Sequence, residues 1–130
     1  MDTSAYWQGR LNEKAKSRMI SLSESGDLAV CSLAMMEILF SAKNSHEWRA
    51  MREALGSLPR VEISDLAAGI DLQGELARRG QHRTPVTDVL VAATAAEHDL
   101  AVLHYDRDFE RLCEITGGAH EWVVPPGSGH

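Results

Sequence analysis

An α/β fold with a mostly parallel sheet is what this sequence predicts, and three observations point to it. Short apolar runs at Leu28–Cys31, Leu100–Leu103 and Trp122–Val124 alternate with longer stretches whose apolar residues recur at helical spacing. Two acids, Asp106 and Asp108, stand just past the carboxyl end of one run, and in open α/β sheets ligands bind outside the carboxyl ends of the strands. No internal repeat divides the chain, so its 130 residues, 44% of them hydrophobic, suffice for one core without disulfide or metal staples. Residues 1–124 read as one domain, and residues 125–130 (PPGSGH) as a flexible tail.

Taken in order, Tyr6, Trp7, Leu11, Ala15, Met19 and Leu22 suit one amphipathic helix from Ala5 to about Glu24, capped by Asp2 or Ser4. Gly26-Asp27 turns the chain into the buried strand Leu28–Cys31. Ser32 is expected to cap a helix from Leu33 to about Lys43, and Asn44 with Glu47 forms a capping-box variant for the helix His46–Leu58, which stops before Pro59. Val61 and Ile63 suggest a brief extended piece. Ser64 is the expected cap of a helix over Asp65–Arg79, with Gly80 in the place of a C-cap glycine. Pro85 opens the next helix with Asp88 in its first turn, and the small apolar body Val89–Ala96 should be buried. His98-Asp99 breaks that pattern, and Leu100–Leu103 suits an interior parallel strand. A short helix carrying Leu112 and Ile115, the turn Gly117-Gly118 and the strand Trp122–Val124 complete the domain.

Composition excludes several classes. Cys31 and Cys113 form no C-x-x-C pair, the six histidines lack metal-binding spacing, and both thiols read as reduced. No apolar run approaches the roughly 20 residues of a membrane span and no signal peptide is visible, so a cytoplasmic protein is expected. A formal charge of −6 argues against broad electrostatic attraction to nucleic acid. Acids gathered in one cleft and loaded with a divalent cation nevertheless bind phosphate. The basic cluster Arg78, Arg79, His82 and Arg83 is explained at least as well by a solvated helix end.

Singly, the acids have ordinary explanations. Asp2 and Asp108 suit helix caps, Asp88 a first helical turn and Asp106 a turn, while Glu37, amid Met36, Ile38, Leu39 and Phe40, faces either water or an internal partner. Jointly, Asp2, Glu37, Asp88 and Asp106 all fall at or just after an element junction on what is one candidate end of the sheet. Crowded carboxylates repel, and an all-oxygen set without cysteine or histidine favours Mg²⁺, with Mn²⁺ as a substitute, over zinc. A metal held there can activate a water for in-line attack on a phosphodiester.

The order Asp2-Thr3-Ser4, Glu37 in the helix after Ser32, Asp88 followed by V-L-V-A-A-T-A, and Asp106-Arg107-Asp108-Phe109 after a strand resembles the PIN-domain ribonucleases, and closely the VapC-type toxins of bacterial toxin-antitoxin pairs. The resemblance runs from residue 2 to about Val124; D-T-S alone is weak, whereas D-V-L-V-A-A-T-A with D-R-D-F after one strand is specific. It implies a three-layer α/β/α sandwich and a Mg²⁺ site at Asp2, Glu37, Asp88 and Asp106, with Asp108 a secondary ligand or structural acid. It further implies an endoribonuclease cutting structured RNA, such as a tRNA or ribosomal RNA loop, a cognate antitoxin and a homodimer. Two departures stand out: only Met1 precedes the first acid, where the family usually has a short hydrophobic strand, and His104 stands where Thr or Ser is common.

Three rivals compete with this reading. A receiver-type signalling domain also gathers acids around Mg²⁺ but needs a late lysine, and no lysine follows Lys43. A D-x-D glycosyltransferase would use Asp106 and Asp108, but 130 residues leave little room for donor and acceptor. A PIN-like module that binds a partner without catalysis is the remaining alternative.

Overall fold

The computed structural model describes residues 1–129. Its elements are α1 (Thr3–Leu11), α2 (Glu13–Glu24), α3 (Ser32–Phe40), α4 (Ser45–Gly56), α5 (Ala67–Arg78), α6 (Val86–Glu97), β1 (Val102–His104), α7 (Asp108–Thr116) and β2 (His120–Trp122). The strands β1 and β2 pair in parallel, with His104 opposite Trp122. Hydrogen bonds carry the sheet further. The Asp2 amide donates to the Leu103 carbonyl at 2.9 Å and the Met1 ammonium to the Ala29 carbonyl at 2.9 Å. Beyond it, Val30 bridges Arg60 in parallel. Met1 and Asp2 are thus hydrogen-bonded to the segments that carry Ala29 and Leu103. A pocket of about 330 Å³ lined by Leu28, Ala29, Leu100, Ala101 and Leu103, among others, lies alongside.

Side chains from the sheet feed two separate cores. Val102 belongs to the larger one, with residues of α3 to α7, while its neighbour Leu103 joins Ala5 of α1, Ala15 of α2 and Val123 in the smaller. Successive strand residues point to opposite faces, so this division puts helices on both sides of the sheet and makes the expected three-layer α/β/α sandwich. Phe109, the largest fully buried side chain, anchors α7 in the larger core beside the His104 ring, 5.0 Å away.

Several boundaries differ from expectation. The single helix expected over Ala5–Glu24 is two, because Asn12 sits at φ −130° and accepts from the amides of Lys14 and Ala15 while its own amide closes α1 onto Gln8. A short amide side chain competing for backbone partners ends one helix and starts the next. The pair then packs closely, since a Cβ on Gly9 would lie 2.5 Å from Met19 Sδ. The strand expected at Leu28–Cys31 and the piece at Val61 and Ile63 reduce to the Val30–Arg60 bridge, and the last strand is His120–Trp122 rather than Trp122–Val124.

Neither serine caps as expected. Ser32 bonds Glu62 from inside α3, and Ser64 bonds Glu97 with both its amide and hydroxyl, leaving Asp65 to accept from Ala67. Asn44 does accept from the Glu47 amide, and the amide of Gln81 reaches back to Leu76 past Gly80 at φ +70°. In the tail, Gly127 and Gly129 donate to the Tyr105 hydroxyl, and Asn12 to the Ser128 carbonyl; residue 130 lies outside the described residues.

Removing the Phe109 ring leaves a cavity between α7 and the sheet that neighbours fill only in part. Phe109→Ala should cost about 3–5 kcal/mol of unfolding free energy, read from urea denaturation; a cost under about 1 kcal/mol would show that the larger core does not depend on this residue.

Candidate metal centre

Local structure brings each acid to one end of the sheet. Asp2 caps α1: its Oδ2 accepts from the Ser4 amide at 3.0 Å and from Ser4 Oγ at 2.6 Å. Ser4 Oγ in turn accepts from the Tyr105 amide at 2.8 Å, which ties the first acid to the chain leaving β1. Asp88 lies in the first turn of α6, which returns through the turn at His98-Asp99, with Asp99 at φ 55°, to enter β1. A helix that runs back along the strand it precedes sets its first turn beside that strand's carboxyl end. Asp106 and Asp108 follow β1, and Asp106 Oδ1 accepts from the Asp108 amide at 2.9 Å.

The closest set is Asp88, Asp106 and Asp108, which each offer a carboxylate oxygen within 4.8 Å of the others. Asp2 and Glu37 are outside that trio but inside its field. Charges on Asp2, Asp106, Asp108 and Glu37 all act on Asp88, and Glu37 acts on Asp2. Glu37 itself is exposed on α3, the wet-face alternative, between the exposed Met36 and buried Ile38.

Burial first, then these neighbours, push the Asp88 carboxyl up from 3.8 to about 7. Asp88 is only 8% exposed, and the displacement corresponds to on the order of 4 kcal/mol against its charged form. A helix N-terminus favours a carboxylate by roughly 0.3–1 kcal/mol, so the crowding wins. Burial also raises Asp2, against the opposing hydrogen bonds from Ser4. Asp2 Oδ1 is buried and makes no hydrogen bond among the described residues, although the Thr3 amide also acts on the carboxylate. An orphaned, buried carboxylate oxygen beside a crowded set of hard oxygen donors fits a divalent cation, and neither cysteine belongs to the set.

Some contacts lie outside the sequence reading. Arg111 pairs with Asp108 Oδ1 at 2.5 Å, so Asp108 already has a cationic partner on its own helix. The spacing of Asp108 and Arg111 on one helix face was the available signal. Ser4 links Asp2 to Tyr105, for which the D-x-S cap spacing was the only hint. His104 is fully buried, accepting from the Asp106 amide at Nδ1 (3.1 Å) and touching His120 Nδ1 through Nε2 (2.9 Å). Burial, then the charge of His120, holds His104 down at about 4, so it is neutral at neutral pH. The cluster Arg78, Arg79, His82 and Arg83 is exposed, with Arg78 paired to Glu75.

Residues 2–115 match the PIN domain family. Relatives along nearly the whole chain include Ribonuclease VapC51 of Mycobacterium tuberculosis, 35% identical over 98% of this chain and 94% of its own length. Ribonuclease VapC21 of the same species is 34% identical over 98% and 95%, and Ribonuclease VapC18 is 32% identical over 98% and 96%. A match of that extent, joined to a parallel sheet with acids at its carboxyl end, establishes that this chain belongs to the PIN-domain family, among the VapC ribonucleases.

Proposed function

We propose that this protein is a Mg²⁺-dependent endoribonuclease toxin that cleaves structured RNA, a tRNA or a ribosomal RNA, and is neutralised by a cognate antitoxin. The observation that carries the reading is the meeting of Asp88, Asp106 and Asp108 within 4.8 Å, with Asp2 and Glu37 acting on the same point. Asp2, Glu37, Asp88 and Asp106 would hold the ion, with Asp108 as a secondary ligand. An ion held there would supply Lewis-acid chemistry, activating a water and neutralising charge on the phosphodiester.

The chain's own residues set up that chemistry. Ser4 holds Asp2 Oδ2 toward the helix, and Oδ1 makes no hydrogen bond among the described residues. Arg111 draws Asp108 to one side, which favours Asp106 as the principal ligand after β1. Asp88 must release its proton to ligate. Looped or single-stranded RNA is the expected target, because its splayed bases are accessible to side chains.

Partner surfaces support the toxin reading. Met36, Phe40 and Trp48 are 67%, 90% and 43% exposed around an apolar groove between α3 and α4, on the helix that carries Glu37. A second apolar patch is formed by Leu66, Ile70 and Val86. Surfaces of this kind call for covering partners, here an antitoxin and a second copy of the chain. No helix among the described residues is long and apolar enough to cross a membrane.

Purified chain freed of antitoxin should cleave total tRNA or ribosomal RNA with Mg²⁺ and not with EDTA. Asp88→Asn should lose at least the roughly 100-fold that weakening a ligand's surroundings can cost. Cleavage that survives EDTA or Asp88→Asn removes the metal mechanism, and no cleavage of any RNA favours the module that only binds.

Metal and pH also act on stability. At about a hundredfold above its Kd, Mg²⁺ should stabilise the fold by about 2.7 kcal/mol, visible as a raised Tm. Without metal, the folded-state proton affinity of Asp88, about 7 against 3.8, makes a contribution to stability that is full below about pH 4 and lost as pH rises to about 7. Metal-free Asp88→Asn should therefore melt above the parent at pH 8 and converge with it near pH 4; parallel Tm profiles would contradict the crowded-acid account.

A further inference from the structure

His104 is buried in a cage of Phe109, His120 and Trp122, with ring centroids 4.8 to 5.0 Å away. Its hydrogen bonds fix its tautomer. The Asp106 amide can only donate, so Nδ1 is the bare nitrogen and the neutral ring carries its proton on Nε2. That proton is donated to His120 Nδ1, which puts the proton of His120 on its own Nε2. Downstream, Asp106 Oδ1 is held by the Asp108 amide. The backbone of Asp106 is gripped on one side by an imidazole and its carboxylate on the other by the first amide of α7.

We propose that the His104–His120 pair is a positioning device for the metal centre: His104 Nδ1 holds the Asp106 amide and so aims the Asp106 carboxylate at Asp88, while His120 locks His104 in the tautomer able to accept. The inference rests on the metal reading above. A rigid aromatic ring, stacked on three neighbours, restricts the turn after β1 more tightly than a freely rotating side chain, which suits a carboxylate that must meet two others without their repulsion turning it away.

The experiment compares Mn²⁺ affinity and metal-free Tm for the parent, His104→Leu, which fills the cage without an acceptor, and His104→Asn, whose oxygen takes the place of Nδ1. His104→Leu should weaken Mn²⁺ binding roughly 10- to 100-fold with Tm shifted by a few degrees at most, and His104→Asn should restore affinity to within about threefold of the parent. Equal affinity in parent and His104→Leu, or equal loss in both variants, overturns the positioning role. A parent that binds no Mn²⁺ overturns the metal reading itself. In the unmodified protein, histidine ¹⁵N shifts should show Nε2–H on His104 and slow exchange of the Asp106 amide; an Nδ1–H tautomer overturns the proposal whether or not the variants fold.

Discussion

Mutual repulsion of carboxylates at the end of a narrow parallel sheet is the constraint the rest of the structure has to meet. Asp88, Asp106 and Asp108 approach within 4.8 Å, and a buried Asp2 adds its charge from the N-cap of α1. Left to themselves, such groups would separate or protonate. What prevents separation is the backbone: Asp2 is fixed through its amide to β1, Asp106 through its amide to His104, and Asp88 by a helix whose next residues, Val89 to Thr94, are nearly all buried. The two cores on the faces of the sheet thus hold charges together that have no favourable contact with one another.

That arrangement explains why so small a sheet suffices. The β1–β2 ladder has three residue pairs, supplemented by the Val30–Arg60 bridge and the Met1 and Asp2 hydrogen bonds. The layers are secured less by the ladder than by side chains such as Ile38, Leu76, Phe109 and Leu112, all buried to 0% exposure. Burying apolar area stabilises without regard to direction, whereas hydrogen bonds fix register. The helices supply most of the stability, and the few sheet bonds serve chiefly to set the acids in register.

Much of this was legible in the sequence, unevenly. Asp88 followed by small apolar residues and Asp106 just past an apolar run announced both the buried helix and the carboxyl-end acids, because periodicity and strand ends are local properties. The break at Asn12 was missed because Tyr6 to Leu22 keep helical spacing across it, and only the side chain's competition for backbone amides reveals the stop. Ser32 and Ser64 read as caps, yet each found a distant glutamate, Glu62 or Glu97, from an element far away in sequence. Residue spacing along a chain carries no record of such pairings. Arg111 on Asp108 was within reach of a spacing argument; the buried contact of His104 with His120 was not.

The division of labour among the acids follows from their partners rather than their positions. Asp108 has Arg111, and Asp2 has one oxygen occupied by Ser4, so each brings a reduced capacity to a shared ion. Asp88 has no cation beside it among the described contacts, feels four acids, and is the group driven to hold a proton. On the proposed metal reading, a cation at this centre would compete with that proton, and the ease of ligation would depend on Asp88 more than on any other residue. Glu37, exposed and set between Met36 and Phe40 on α3, occupies the opposite extreme: it is the acid a partner covering the α3–α4 groove would reach first. On that reading, loading an ion and shielding the centre would fall to different carboxylates, one governed by burial and the other by what docks on the surface.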